Sequence, residues 1–198
     1  MEKLLTIKKK AYWVMLISSL ISLSAALVLA VDAIKLAKDA NTSLSCNINA
    51  VISCGKVAVS WQSNLLGFPN AFLGLICEPV IITIAIAGIL GVVFPKKFLL
   101  AAMFFYSAGL IFAIWLFTQS YFVIGAFCPW CLLVTTSTVT VFSSMLKINI
   151  IENTFGKDNS NSRALEMVKL GRDRLIVVFI FTILAMMILV KYHNYILP

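Results

Sequence analysis

The stretch FVIGAFCPWCLLVTTSTVTVFSSML, residues 122–146, carries no charged side chain. A helix needs roughly 20 mostly apolar residues to cross about 30 Å of hydrocarbon, so this run is long enough to span a bilayer. Near its start stands Cys128-Pro129-Trp130-Cys131. Proline suits the first helical turn, where its missing N–H would have no partner, so the spacing predicts a helix beginning at Cys128. Cys131 follows about one turn later. Its sulfur is within reach of Cys128 and lies nearer the lipid.

Four more apolar runs flank this one: Tyr12–Val31, Ala71–Phe94, Phe98–Phe117 and Leu175–Val190, the last extendable to Tyr192. Pro95-Lys96-Lys97 separates the second run from the third. Hydrophobic side chains make up 61% of the 198 residues, against about half in soluble domains. The first run also has features of a secretory signal, but an apolar signal core is about 7–15 residues long, so a retained span fits better. The reading is an all-α integral membrane protein. It predicts a four-helix transmembrane bundle over 12–146 and a fifth transmembrane helix over 175–192. Residues 1–11 and the polar linker 147–174 are then cytoplasmic, and 193–198 form an outer tail.

A net charge of +8 would suggest nucleic acid in a soluble protein. In a membrane protein, basic residues instead mark the cytoplasmic side. With five alternating spans, Lys3, Lys8, Lys9, Lys10, Lys96, Lys97, Lys147, Lys157, Arg163, Lys169, Arg172 and Arg174 share one face. Only Lys35, Lys38, Lys56 and Lys191 fall on the other. The N-terminus is therefore predicted cytoplasmic, and no nucleic-acid partner is expected. Loop 32–70 and the 118–127 connection become extracytoplasmic.

That topology puts Cys46, Cys54, Cys128 and Cys131 on one outer face, where disulfides form and persist. A zinc site is a competing reading, since zinc accepts four thiolates. The seven residues between Cys46 and Cys54 suit it poorly, and no metal is expected. Static bridges are the other alternative. The redox reading has a chemical basis, because a helix N-terminus favours thiolate at a cysteine placed there. Cys77, inside the second span, reads as a small buried apolar residue.

The combination of Cys46-x7-Cys54, Ser60-Trp61-Gln62, Gly67-Phe68-Pro69-Asn70 and Phe127-Cys128-Pro-Trp-Cys131 resembles the vitamin K epoxide reductase family, nearest its bacterial disulfide-forming members. The resemblance covers about residues 12–146. It implies a bundle around a diffusible quinone (ubiquinone or menaquinone), capped by the 32–70 loop. It also implies an order for the sulfurs. A thioredoxin-like, DsbA-type partner attacks at Cys46, freed Cys54 attacks Cys128, and Cys131 passes two electrons to the quinone. Many bacterial relatives carry a fused thioredoxin-like domain; here the partner is expected to be a separate protein. Relatives that hold the ring by a tyrosine one turn past the dithiol have Thr135 in this chain.

Phe68, Phe72, Phe122, Phe127 and Trp130 are candidate walls of the ring slot, with lipid contact as the ordinary alternative for aromatics near a membrane face. Asn70 is the candidate donor to the ring or a helix cap. Ser60 either orients a loop sulfur or caps a short helix. Glu78 is costly within a span unless it faces protein or water. Trp61, Leu65, Leu66 and Phe68 recur at helical spacing and predict an amphipathic cap on the bundle mouth. His193 reads as interfacial, and Asn41-Thr42-Ser43 matches a glycosylation sequon. The expected activity is quinone-dependent thiol oxidation in the cytoplasmic membrane. The alternatives are reduction of vitamin K epoxide or quinone as the purpose, and a non-enzymatic subunit with stapling disulfides.

Overall fold

The computed structural model describes residues 2–44, 46–49, 51–156 and 159–196, with side chains at 159–162 and beyond 191 left aside. Five helices are long and apolar enough to cross a membrane: α1 Glu2–Lys38, α3 Ala71–Ile89, α4 Lys96–Gln119, α5 Pro129–Ile151 and α7 Arg172–Ile196. The described residues also form two shorter α-helices, α2 Cys54–Ala58 and α6 Asn159–Lys169. Helix α3 ends earlier than its apolar run, because Gly91 takes a left-handed turn (φ 93°) before Pro95. Helix α1 extends past its run at both ends. The 147–174 segment holds α6 between two spans. The side chain of His193 and the end of the 193–198 tail lie outside the described residues.

Packing is uneven around the bundle. Helix α1 packs along both α5 and α3, and α4 packs on α5, while the backbones of α3 and α4 stand apart. The buried face of α1 is built from small residues, Ala11, Ser18, Ser19, Ser22, Ala25, Ala26 and Ala30. Small side chains let helix backbones approach closely where lipid offers no hydrophobic drive for association. Gly74 and Gly88 of α3 serve the same approach. A Cβ on Gly74 would lie 2.8 Å from the Ala26 Cβ, and one on Gly88 would lie 2.3 Å from the Tyr12 ring. Tyr12 and Met15 of α1 and Val141, Met145 and Ile148 of α5 join Ile81, Ile84 and Ala85 of α3 in the main core.

The two ends of the bundle differ. At one end, Lys8 pairs with Glu152 at 2.5 Å and Lys147 with Asp173 at 2.6 Å. Lys96 there donates to the Asn153 carbonyl at 3.0 Å. At the other end the loop after α1 folds back over the helices, carrying α2 and a 3₁₀ turn, Trp61–Asn64. Trp61, Leu65 and Leu66 are exposed on it, and Trp61 meets the edge of Trp115 on α4. Helix α7 packs at the periphery. Its Leu184, Met187 and Ile188 pack against Val51, Phe117 and Phe127, and Lys191 donates to the Tyr121 carbonyl.

Candidate active site: two cysteine pairs at the mouth of a lipid-side cavity

The sulfur cluster is assembled by backbone pairing. Phe127 N–H donates to the Val51 carbonyl at 2.7 Å, and Ser53 N–H donates to the Phe127 carbonyl at 3.0 Å. This short parallel bridge sets residue 54 beside residue 128. The loop is braced locally as well. Asn47 Oδ1 accepts from Gly55 N–H and Ser53 Oγ, and Asn49 Oδ1 accepts from the N–H groups of Val51 and Ile52. Ser53 caps α2 by accepting from Lys56 N–H.

Cys46 and Cys54 form a disulfide, so two of the four sulfurs are unavailable as zinc thiolates. Cys128 and Cys131 are thiols. Cys128 Sγ lies 3.2 Å from Cys54 Sγ, both side chains almost fully buried. Cys128 is the N-cap of α5, with Pro129 in the first helical turn, and its sulfur accepts from Cys131 N–H at 3.4 Å. The Cys131 thiol beside it, and the backbone N–H groups of Cys131 and Trp130, hold the Cys128 thiol below the ordinary value; burial and Asp32 oppose them. The outer pair is oxidised and the inner pair reduced. Asp32 is buried, with its Oδ2 3.9 Å from Cys46 Sγ and its Oδ1 3.7 Å from Lys35 Nζ.

Beneath the sulfurs lies a cavity of about 910 Å³ lined by α1, α3, α4, α5 and the cap. It opens on the side where α3 and α4 stand apart and where Ile76, Val80 and Phe105 are exposed. Cys54, Cys128 and Cys131 border it, together with Asn70, Phe127 and Thr135. The other expected wall residues lie elsewhere. Phe68, in the bend before α3, and Phe72, in its first turn, stack on each other (6.4 Å) outside the lining. Phe122 sits exposed on a π turn, and Trp130 packs at the sulfur cluster. Ser60 spends its hydroxyl on the Val57 carbonyl at 2.7 Å and neighbours Ser63.

Asn70 occupies the N-cap position of α3 without capping it. Its Nδ2 donates to the Gln62 carbonyl at 2.7 Å, which ties the cap to the bundle and leaves Oδ1 buried with no partner among the described residues. The Thr135 hydroxyl donates to the Cys131 carbonyl at 2.9 Å. Cys77 is exposed rather than buried, because its side of α3 is one the bundle leaves uncovered. Sequence reasoning passed over Asp32, Tyr106 and Phe117. Their only signal was a polar or aromatic group near the end of, or within, an apolar run.

These features define a class: a membrane-embedded helical bundle with a thiol–disulfide centre at one end. The chain belongs to the vitamin K epoxide reductase family, whose sequence profile matches residues 13–146. Membership makes it an oxidoreductase of membrane disulfide and quinone chemistry. A search of curated proteins finds no match.

Proposed function

We propose that the protein oxidises a separate thioredoxin-like, DsbA-type protein outside the cytoplasm and passes the two electrons to a membrane quinone. The contact between Cys54 and Cys128, 3.2 Å, is the observation that carries this reading. Only one sulfur of the outer pair touches the inner pair, which leaves Cys46 as the sulfur for a partner thiolate. That attack opens the outer disulfide and releases Cys54. Cys54 then attacks an inner disulfide at Cys128, and Cys131 leaves as a thiol. The partner's second thiol attacks the partner sulfur joined to Cys46 and displaces Cys46, which attacks Cys54, closes the outer disulfide again and releases Cys128. The partner is oxidised and the inner pair becomes a dithiol. The two-electron state of the structure, outer pair closed and inner pair open, is the one that awaits an acceptor.

A quinone fits the cavity on three counts. Its volume lies within the usual range of small-molecule sites. Its lining is mostly apolar, with a few polar groups. The gap between α3 and α4 suits entry from lipid. A quinone also supplies the drive, because a DsbA-type couple lies near −120 mV and only a stronger oxidant keeps it oxidised. The gathering of Lys8, Lys96 and Lys147 at the opposite end supports a cytoplasmic N-terminus in the inner membrane, with Cys46, Cys54, Cys128 and Cys131 outside.

The test is quinone reduction by purified protein fed with a reduced thioredoxin-like donor. Replacing Cys54 with Ser is expected to end transfer from donor to quinone and to leave Cys128 and Cys131 unlinked to the outer loop. Continued donor-dependent quinone reduction in that variant would overturn the relay.

A further inference from the structure

Helix α3 carries a carboxyl group two turns below Asn70, at Glu78, inside the same cavity. Glu78 is 4% exposed. Its Oε1 accepts from Ser22 Oγ of α1 at 2.8 Å and from Tyr106 Oη of α4 at 3.2 Å. Its Oε2 is buried with no partner among the described residues, and no Lys, Arg or His there pairs with it. A carboxylate in hydrocarbon without a cation beside it is costly, so the site favours the neutral acid, which has one O–H to donate. Two donors already fill Oε1. The proton therefore belongs on Oε2, the free atom.

Two residues of the cavity lining thus carry a buried polar atom with no partner among the described residues, Asn70 Oδ1 and Glu78 Oε2. Eight residues of helix separate their Cα atoms by about 12 Å, and side chains lean toward the N-terminal, sulfur-bearing end. A quinone carbonyl oxygen only accepts, so it pairs with the Glu78 O–H, whereas Asn70 Oδ1 accepts only from the O–H of the hydroquinone product.

Resting on the quinone reading above, we infer that Glu78 is a catalytic acid of this chain, bound to the quinone oxygen remote from the sulfurs and giving it a proton. As Cys128 and Cys131 close their S–S bond, two electrons and two protons leave the thiols, and the quinone becomes a hydroquinone by gaining two of each. One thiol proton reaches the oxygen near Asn70 and the other passes to solvent. Glu78 protonates the far oxygen and takes a proton back from solvent. Ser22 and Tyr106 act as positioning residues that keep the acid turned toward the ring.

The experiment compares wild type with Glu78→Gln and Glu78→Leu in detergent, using a short-chain ubiquinone. Retention of the Cys46–Cys54 disulfide in non-reducing gels reports folding. Glu78→Gln keeps a donor but no acidic proton, so quinone binding is expected to stay within about 3-fold while turnover falls about 100-fold. Glu78→Leu is expected to weaken binding about 10-fold. Infrared difference spectra supply a readout free of turnover. A carboxylic C=O band is expected to shift when quinone is added to wild type, and the shift is expected to vanish in Glu78→Gln. Wild-type turnover in Glu78→Gln, or no carboxyl shift in wild type that binds quinone, would overturn the role of Glu78 and leave the quinone reading standing. Wild type that neither binds nor reduces the quinone would sink both.

Discussion

The seam along which α1 packs on α3 and α5 and the gap between α3 and α4 are opposite solutions to packing within one bundle. On the seam, serines and alanines of α1 are almost fully buried and the helices touch along their length. Across the gap, Ile76, Val80 and Phe105 stay exposed. The difference separates two jobs. The seam fixes the α5 end that carries Cys128 and Cys131, and the gap leaves room for something that arrives through lipid. A bundle packed tightly all round would hold the thiols equally well and give them nothing to reduce.

The comparison breaks most completely at Cys131, one of the three cysteines that border the cavity. Cys131→Ala is expected to lower quinone reduction by more than about 1,000-fold, since no second thiol remains to close the inner disulfide. Steady-state reduction with a thioredoxin-like donor checks this, and unchanged turnover would remove Cys131 from the electron path. Next comes the seam side of α3. Gly88→Ala puts a Cβ into the Tyr12 ring and is expected to cost about 1–3 kcal/mol, read as a lower melting temperature in detergent. Gly109 is the matching control. It lies on the cavity side of α4, and a Cβ added there would meet nothing within 4 Å. Gly109→Ala is expected to leave stability unchanged or raise it by up to about 1 kcal/mol through helix propensity. Equal losses at Gly88 and Gly109 would erase the distinction between seam and gap.

A smaller effect sharpens the picture at the mouth. The Cys131 thiol is the main influence that lowers the Cys128 pKa. Thiolate absorbance of Cys128 is therefore expected to rise at lower pH than for an ordinary thiol. In Cys131→Ala the transition should move upward. A transition that stays in place would assign the effect to the helix N-terminus alone.

Much of this was legible in the sequence. Five spans could be read because hydropathy integrates over some twenty residues, and errors at single positions average out. The cysteine pairs were legible because sulfur chemistry demands particular neighbours. What escaped was short-range commitment. Asn70 and Ser60 have side chains able to serve a ring or a backbone, and only the fold shows that Nδ2 of Asn70 and the hydroxyl of Ser60 are engaged locally. Phe68 and Phe72 fit a slot by composition, yet the bend before α3 folds one ring onto the other. Glu78 stood out as a charge in an apolar run, but its partners Ser22 and Tyr106 lie 56 and 28 residues away in the chain. No local pattern carries that information.

The paired backbone at Val51, Ser53 and Phe127 has a kinetic consequence. Two hydrogen bonds tether the Cys54 loop to the start of α5, independently of any bond between sulfurs. In the proposed relay, opening of the outer disulfide would not release Cys54 into free volume; it would stay at a high effective concentration beside Cys128. The exchange between the pairs is then a unimolecular event whose rate ignores protein dilution, and only the encounter with the thiol donor and the arrival of the acceptor depend on how much of each is present.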